Sequence, residues 1–562
     1  MQFSDGEFVV EQKLQRLANS VPASYTLFPD GTTFYGERNF PGGDDLTPGT
    51  ARSVLQAALT ALYGVGGKVY AKAGTYDLTA GNVAVYGDTV LEGDGDATIF
   101  QVVPGDYGIS LTSSNIAVRN LKITRSSGIY TDLNVGWSNT LIDNVHFVNS
   151  NCGTAVSLAL QAGHRKVTVR NCLIEGAANG MVITADVAPS GVLIERNTIL
   201  DSYDSGITVY RANGLQIKDN TLFGFGHAAA GGSGITFTTA SAQISQNNQI
   251  IGNKLWADAA DASNQQVPIH ITVADATAYN RRFIVSENTI YGLGASEPAN
   301  GGAIVVEGAA GTQNLDFIIS DNNIYQTRLG IHCIYCEDFL VAHNTIEEVR
   351  EIGIFGGERD FEITDNIVRN CGMGSPALPK NASAIFLRGA ASHHVVKGNK
   401  LYDDQLGAET MQYGIYEDVG TDYNTFKNNT IVGAQTMPYL LVGANGTYDA
   451  QVLSEEVQIN GATTIPVMTF TKAAQLAKAT LLYGTLVAND TNVEVGYGDV
   501  GGVDRDKYVA SVTSGTGAIW ETEPLTLTAT PDIGALDTVT FYQDGSGGAG
   551  EYIRLLIEYL TL

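Results

Sequence analysis

The chain has 562 residues, of which 44% are hydrophobic and 16% are charged, and its net charge at pH 7 is −27. Such an acidic chain is not expected to bind nucleic acid or an anionic membrane, because both carry charge of the same sign. The hydrophobic share excludes a disordered acidic tail, and the 64 glycines indicate many tight turns.

Residues 1–48 are predicted to form an N-terminal segment used for attachment or for contact between subunits. An apolar stripe predicts a helix over residues 7–20, and the letters PDG at 29–31 predict a hairpin turn. The start of the chain lacks the basic and apolar regions of a signal peptide. No stretch of the sequence is long enough to predict a transmembrane helix.

Residues 50–63 predict the clearest helix of the chain. Val54, Leu55, Ala58 and Leu59 fall on one apolar face of this helix. The strand-like segments GGKVYAKAGTYDL and VLEGDGDATIFQV follow directly.

A short phrase recurs from residue 108 to about residue 442: an apolar run that ends in asparagine and one more apolar residue. The intervals between these marker asparagines run from 22 to 35 residues, a period typical of solenoids. Runs such as ITVY, ITFT and AIFLR alternate apolar with polar residues, as strands do. The sequence therefore predicts a parallel β-helix of about 12 coils. The markers are Asn120, Asn144, Asn171, Asn197, Asn220, Asn253, Asn288, Asn322, Asn344, Asn366, Asn399 and Asn429.

Two properties of asparagine explain its place in the repeat. Asparagine tolerates the left-handed backbone conformation, so we expect it at the corners of the coils. Asparagines that stack one coil apart can also bond side chain to side chain.

The repeats, together with the helix–GG–strand–AGTY–strand–EGDG order before them, resemble the right-handed parallel β-helix superfamily of pectin lyases, polygalacturonases and phage tailspikes. The resemblance implies an all-β fold with a right-handed parallel β-helix solenoid over residues 49–445. It also implies that helix 50–63 caps the open end of the coils, where strand edges are otherwise unpaired. The N-T-D and G-H-G signatures of polygalacturonases and the D-P-H-E run of epimerases are absent, so no catalytic residue is carried over.

Residues 446–562 predict a C-terminal antiparallel β-sandwich, because longer alternating strands replace the asparagine phrase. This module could cap the second end of the solenoid, bind carbohydrate or trimerise the chain. Its apolar last strand, IRLLIEYL, is the expected contact with a partner subunit.

The strands that follow the Gly-Ile corners carry the candidate site. If each of these isoleucines points inward, alternation places His270, Glu307 and His332 outward on successive coils of one face. One coil rises about 4.8 Å, so Glu307 is expected within reach of both histidines. Tyr210 and Arg211 lie further along the same face.

Three long insertions, GFGHAAAGGSG, ADAADASNQQVP and GLGASEPANGG, precede strands of this face and could wall a groove over it. A glycosidase needs two carboxyls, and Asp258 or Asp261 in the second insertion, or Glu358 on a later coil, could join Glu307. A lyase needs a base and a cation, which His270 or His332 and an arginine could supply. We therefore predict Glu307, His270, His332 and Asp258 as catalytic. The predicted substrate-binding residues are Tyr210, Arg211, Glu358, Arg388 and Tyr416. The alternative for each is a solvated surface residue.

Other chemistry-bearing residues have simpler interpretations. Asp201 and Asp204 flank a corner and could form a second carboxylate pair or stabilise the turn. Asp94 and Asp96 could hold calcium, but a turn role is favoured, so we predict no metal and no cofactor. The five cysteines predict buried thiols.

The leading hypothesis is a phage tailspike-like homotrimer that binds and depolymerises a cell-surface polysaccharide, by hydrolysis or elimination. Other virion tail proteins would be its partners, and the virion or the extracellular space would be its location. One alternative is a non-enzymatic virion or receptor-binding β-helix protein. Another is a secreted uronan lyase or epimerase.

Overall fold

The computed structural model describes the side chains of residues 23–39, 44–78, 81–102, 107–126, 131–149, 156–161, 166–184, 191–226, 232–257, 267–292, 302–309, 314–374, 380–389, 391–405 and 410–435, and otherwise the backbone of the elements given below. The chain divides into two compact units, Met1–Phe317 (unit 1) and Ile318–Leu562 (unit 2). The helix predicted over residues 7–20 lies outside the described residues.

Unit 1 begins with an antiparallel hairpin, which confirms the predicted turn. Strand β1 (Tyr25–Asp30) pairs with β2 (Thr33–Arg38), and β2 pairs with β3 (Leu46–Gly49). Gly31 in the turn has a φ of +61°, a conformation that glycine adopts without steric cost. Strand β1 also pairs in parallel with β4 (Gly67–Ala71), so the hairpin leads directly into the coils.

Helix α1 (Ala51–Ala61) lies within the predicted residues 50–63 and buries the predicted apolar face. The side chain of Thr50 accepts a hydrogen bond from the N–H of Ser53 and caps the helix N-terminus. Gln56 accepts a bond of 2.9 Å from the N–H of Ala84 and donates one of 3.1 Å to its carbonyl oxygen. Since Ala84 lies in the first strand of its sheet, helix α1 satisfies an otherwise open strand edge.

The coils of unit 1 build three parallel sheets, A, B and C, which the chain visits in that order. Four long strands pass around corners and enter more than one sheet: Thr89–Gln101, Ile116–Arg125, Thr140–Leu160 and Leu173–Ile183. The other strands of sheet A are Gly67–Ala71, Arg165–Arg170, Ser190–Glu195, Gln216–Lys218, Ile244–Gln246, Gln249–Ile251, Tyr279–Arg281, Ile284–Ser286 and Asn314–Ser320. Sheet B adds Gly74–Asp77, Thr198–Ser202, Thr221–Phe225, Lys254–Trp256 and Thr289–Tyr291. Sheet C adds Val83–Val85, Ile109–Leu111, Thr131–Val135, Ile207–Val209, Ser233–Thr239, Val267–Val273 and Ile304–Glu307.

Unit 2 contains three parallel sheets, D, E and F, built from shorter strands. Sheet D consists of Cys336–Ala342, Arg359–Thr364, Val395–Lys397, Thr425–Lys427 and Thr447–Tyr448. Sheet E consists of Asn323–Tyr325, Thr345–Glu347, Ile367–Arg369, Lys400–Tyr402 and Thr430–Val432. Sheet F consists of Ile331–Ile334, Ile354–Gly356, Ser383–Leu387, Tyr413–Glu417 and Met437–Leu441. A 3-10 turn, Pro379–Asn381, precedes the third strand of sheet F.

The end of unit 2 is antiparallel, as the sequence predicts for the C-terminal module. One sheet contains Gln451–Ile459, Ala474–Tyr483, Thr522–Pro524, Asp532–Ile533 and Glu551–Thr561. The other contains Thr463–Thr469, Asn492–Gly498, Val512–Thr513 and Thr538–Asp544. The predicted domain boundaries after residues 48 and 445 stay predictions.

Aliphatic side chains stack from coil to coil inside unit 1. One such stack in sheet A is fully buried, each residue pairing with the next in register: Val118, Ile142, Val169, Ile194, Ile217, Ile250 and Val285. Burying one such side chain stabilises the fold by about 1.5–3 kcal/mol. The alternation of strand residues therefore fixes which positions face inward and which face solvent.

The marker asparagines form the predicted ladders, but their backbone role differs from the prediction. In unit 1 the side-chain amide of Asn197 donates to the side-chain oxygen of Asn220 at 2.9 Å. The expectation that every marker is the left-handed residue is wrong: from Asn197 onward the residue before the marker takes positive φ, as Arg196 and Asp219 do. Only the early markers behave as predicted, Asn144 with a φ of 53° among them. The side chain of a buried asparagine hydrogen-bonds backbone groups inside the coil. The residue before it therefore adopts the left-handed conformation at the corner.

The cysteines whose side chains are described, Cys172, Cys333, Cys336 and Cys371, are buried free thiols, as predicted. Burial raises the pKa of Cys172 to about 12. Among the described residues, no helix is long and apolar enough to cross a membrane.

Candidate functional site

The outward positions of sheet C follow the register that the sequence predicts. Thr236 pairs with His270, and Thr272 pairs with Glu307. In strand Val267–Val273 the isoleucines on either side of His270 are fully buried, whereas His270 and Thr272 are partly exposed. These side chains therefore reach solvent on one face of unit 1.

His270 and Glu307 form a contact on neighbouring coils, as predicted. The His270 Nε2 atom lies 3.4 Å from a Glu307 carboxylate oxygen. The two side chains are 28% and 31% exposed, so a dissolved substrate can reach both. A carboxylate at Nε2 favours the proton on that nitrogen, which makes Nδ1 the basic nitrogen of a neutral imidazole.

Two further predicted residues lie at the edge of the same face. Tyr210 follows strand Ile207–Val209, and its side chain is 45% exposed. Its neighbour Arg211 is half-buried. The structure thus leaves an aromatic ring and a guanidinium near the threonines of sheet C, although their roles in binding stay predictions.

A second polar network lies where the chain enters sheet C. The side-chain amide of Asn179 donates to Asp204 at 3.4 Å, and the Thr208 hydroxyl donates to Asn179 at 2.9 Å. Burial raises the pKa of Asp204, partly offset by the bond from Asn179. The sequence singled out Asp204 but missed Asn179, which lies inside strand Leu173–Ile183, two residues before Met181 enters sheet C.

The two clusters are too far apart to form one pair of catalytic carboxyls. Thr208 is followed in register by Thr236, His270 and Val305. Three coil steps correspond to roughly 14 Å, whereas the two carboxyls of a glycosidase lie about 5 Å or about 6.5–9.5 Å apart. Asp204 therefore does not complete a glycosidase pair with Glu307.

His332 does not occupy the exposed position that the sequence predicts. It lies in unit 2 and is only 5% exposed. The Phe355 ring on the next coil meets its imidazole edge-on, with ring centroids 4.7 Å apart. An aromatic neighbour one coil away covers an outward side chain, which alternation alone cannot show.

The outward side of sheet F is a row of aromatic rings. Phe355 meets Phe386 at 5.1 Å, and Phe386 meets Tyr416 at 5.3 Å between centroids. The Lys380 ammonium lies 5.6 Å from the Phe386 ring centre and 3.1 Å from an Asp418 carboxylate oxygen. The sequence analysis missed Lys380, which belongs to the turn before the strand. Burial raises the pKa of Tyr416.

The remaining predicted residues are placed as follows. Arg388 is exposed at the end of strand Ser383–Leu387, and Glu358 is half-buried. Asp258 lies outside the described residues, as do the central parts of all three insertions. The proposed wall of a groove therefore stays a prediction.

The described residues contain no group of three or more His, Cys, Asp or Glu side chains arranged to hold a metal ion. The Asp94 carboxylate instead accepts bonds from the Tyr70 hydroxyl and, at 2.8 Å, from the N–H of Ala73. Asp96 lies 3.2 Å from His146. Both acids thus contact residues of other segments of the chain.

Comparison with known proteins bears on the fold. The profile of a family described as "Right handed beta helix region" matches residues 90–255 and 269–431, more than half of the 562 residues. A mutant tailspike protein of E. coli bacteriophage HK620 in complex with pentasaccharide is 12% identical, with 92% of each chain covered and a TM-score of 0.50. The mannuronan C-5 epimerase AlgE6 A-module of Azotobacter vinelandii is 15% identical, covers 72% of this chain and 95% of its own, and has a TM-score of 0.41.

No curated protein matches the sequence significantly. The structural likenesses, at such low identity, show the fold alone. The family match has a physical basis in the stacked parallel coils, the asparagine ladders and the buried aliphatic stacks. The chain belongs to the family of proteins with a right-handed β-helix region.

Proposed function

We propose that this protein binds a cell-surface polysaccharide along the outward side chains of its β-helix and cleaves it beside His270 and Glu307. The observation that carries the proposal is the contact between these two side chains, 3.4 Å apart and about one third exposed. A base and a carboxylate on an open, threonine-lined strip suit a long, polar substrate.

The pair supports elimination with a definite division of roles. In an elimination, His270 would take the proton from the carbon next to a uronate carboxylate, while Glu307 orients the imidazole. The electron pair of the broken C–H bond forms the new double bond. The glycosidic oxygen leaves with the C–O bonding pair and takes up a proton from solvent, to which the His270 imidazolium then returns its own. In a hydrolysis, Glu307 would instead act with a second carboxyl, for which Asp258 stays the candidate.

The test is a cleavage assay on the full chain with purified capsule, O-antigen and uronan preparations. New reducing ends report cleavage, and ultraviolet absorbance of an unsaturated uronate identifies elimination. We expect Glu307→Gln and His270→Asn each to lower kcat by about 10²-fold or more, while binding of the polysaccharide is kept.

A matched control pair exists on a different part of the chain. His343 Nε2 lies 3.9 Å from an Asp365 carboxylate oxygen, and both side chains are more than half exposed. His343→Asn and Asp365→Asn should leave cleavage unchanged. Equal losses in both sets of variants, or no product from any of these glycans, would contradict the enzymatic proposal.

A second candidate function, binding without cleavage, is favoured by the aromatic row of sheet F. Phe355 and Tyr416 are partly exposed next to the Lys380–Asp418 ion pair, and aromatic rings beside polar groups suit sugar rings. A solved tailspike with this fold carries a pentasaccharide in its complex. If Tyr416→Ala weakens binding and no glycan is cut, the protein is a receptor-binding protein.

The proposal includes an assembly and a location. A tailspike-like protein would act as a homotrimer on a virion, joined to other tail proteins, or in the extracellular space. The mass of the full chain in solution, from light scattering after size exclusion, tests the trimer.

A further inference from the structure

An exposed aromatic strip lies on sheet B of unit 1, away from the strip of sheet C described above. Phe223, Trp256 and Tyr291 occupy the third position of three successive short strands, and the register pairs each with the next. Phe223 is 45% exposed and Tyr291 is 37% exposed. With a coil rise of about 4.8 Å, the strip extends over about 10 Å, and Leu200 on the preceding coil lengthens it.

The outward positions of the strip itself carry no carboxylate, although Glu175 pairs with Leu200 and the exposed Asp201 follows Leu200 in its strand. The outward first and third positions of these four strands contain no Asp or Glu: Thr198, Leu200, Thr221, Phe223, Lys254, Trp256, Thr289 and Tyr291. The chain as a whole has a net charge of −27. A contiguous apolar patch within polar surroundings marks an interaction site.

Two rings of the strip lie parallel to one another. The Trp256 and Tyr291 rings have centroids 5.9 Å apart and planes 3° apart. Aromatic side chains are enriched in protein–protein contacts.

We propose that this strip is a contact surface for a second copy of the same chain. Every copy is strongly acidic, so two copies can approach with less repulsion at Phe223, Trp256 and Tyr291, whose own strand positions carry no carboxylate. At the adjacent corner of the coils, ion pairs supply both signs of charge: Arg196 with Glu195, and Lys218 with Asp219 at 3.7 Å. A patch with a polar edge of both signs can pair with its own copy.

The contact would place a compact apolar centre within a polar rim, the usual anatomy of a protein interface. Phe223 and Trp256 would be its anchors, because large aromatic side chains contribute most to such contacts. Sheet C would remain accessible, so this inference does not depend on the proposed cleavage.

The test compares the mass of full-length variants by sedimentation over a range of concentrations. We expect the wild type to form an assembly of several 59.5 kDa chains. A Phe223→Glu/Tyr291→Glu variant should raise its dissociation constant by at least about 10-fold or sediment as a single chain. Tyr63→Glu is the matched control, since Tyr63 is 68% exposed and lies next to helix α1, and it should leave the assembly intact.

A second variant separates loss of contact from loss of fold. Phe223→Thr/Tyr291→Thr uses the residue type of the neighbouring strand positions, which suits an exposed strand. It should melt at the wild-type temperature and still dissociate. A wild type that is monomeric at every concentration would overturn the inference, as would strip variants that stay assembled, including any that lose polysaccharide binding instead.

Discussion

One asparagine per coil has two different structural roles in this chain. Asn144 is exposed, takes a φ of 53° and makes the corner itself. Asn344 is fully buried, and the preceding His343 takes the left-handed conformation instead. Left-handed backbone costs a non-glycine residue about 1–2 kcal/mol. The hydrogen bonds of the buried asparagine must therefore stabilise the fold by at least that amount.

Asn344 offsets this cost because both the nitrogen and the oxygen of its side-chain amide make hydrogen bonds. Its amide nitrogen donates to Ile319 and Asn366, and its oxygen accepts from Asn322 at 2.9 Å. Asn344→Ala leaves several buried groups unpaired, each at a cost of about 1–3 kcal/mol. We therefore expect a loss of roughly 3 kcal/mol or more in the free energy of unfolding, measured by urea denaturation.

The control is Asn144→Gly. Glycine keeps the left-handed corner, and only one exposed bond, to Asn120 at 2.9 Å, is removed. This variant should lose less than about 1 kcal/mol. Similar losses in both variants would contradict the distinction between corner and ladder asparagines.

A buried ion pair gives unit 1 a dependence on pH. The Arg125 Nε donates to Asp132 at 2.6 Å, and both side chains are fully buried. Burial nevertheless outweighs the guanidinium and raises the pKa of Asp132 from 3.8 to about 6. The folded state then binds this proton more tightly than the unfolded state does, so Asp132 makes folding more favourable as pH falls through 6 toward 3.8.

The Asp132→Asn variant isolates this effect, because asparagine does not titrate. We expect the free energy of unfolding of the wild type, relative to the variant, to increase by about 2–3 kcal/mol between pH 7 and pH 4. Urea midpoints at several pH values provide the measurement. A constant difference across this range, or a decrease toward low pH, would show that the ion pair governs the pKa.

At the scale of elements, helix α1 and the first strand of sheet C depend on one another. Helix α1 has a well-formed apolar face, but its polar residue Gln56 makes the specific contact, with both backbone groups of Ala84. An unpaired strand edge is a site for unwanted pairing with other chains. The helix therefore contributes both burial and the closure of that edge.

Gln56→Ala should open the edge without unfolding the helix, because alanine is the best helix former. We expect a loss of about 1–3 kcal/mol and faster hydrogen exchange at the Ala84 amide. Ala57→Gln on the same helix, at an exposed position, should leave that amide protected. Unchanged protection of the Ala84 amide in Gln56→Ala would contradict the proposal that helix α1 closes the strand edge.

At the scale of the whole molecule, the acidic charge and the β-helix coils act together. With −27 charges on 562 residues, most of the surface repels another copy and any anionic polymer. The outward positions Phe223, Trp256 and Tyr291 of sheet B carry no acid, whereas the outward strip of sheet C contains Glu307. A repeated coil allows this, because each sheet repeats its own outward positions and can acquire its own surface chemistry.

The repeat by itself determined most of the architecture. Alternating apolar residues and regularly spaced asparagines predict strands, coils, ladders and the inward face, since each coil meets the same environment as the one before. For the same reason the register that brings His270 to Glu307 was predictable: each lies at a set position after an inward isoleucine, Ile269 or Ile304, that pairs with the isoleucine of the next coil.

Only the tertiary structure decided which outward residues reach solvent. His332 has the same position in its coil as His270, yet Phe355 covers it. The bond from Asn179 to Asp204 and the place of Lys380 over Phe386 likewise depend on residues far apart in sequence. Sequence spacing encodes the direction of a side chain, but its exposure depends on the size of its neighbours on adjacent coils, which become neighbours only when the chain has coiled.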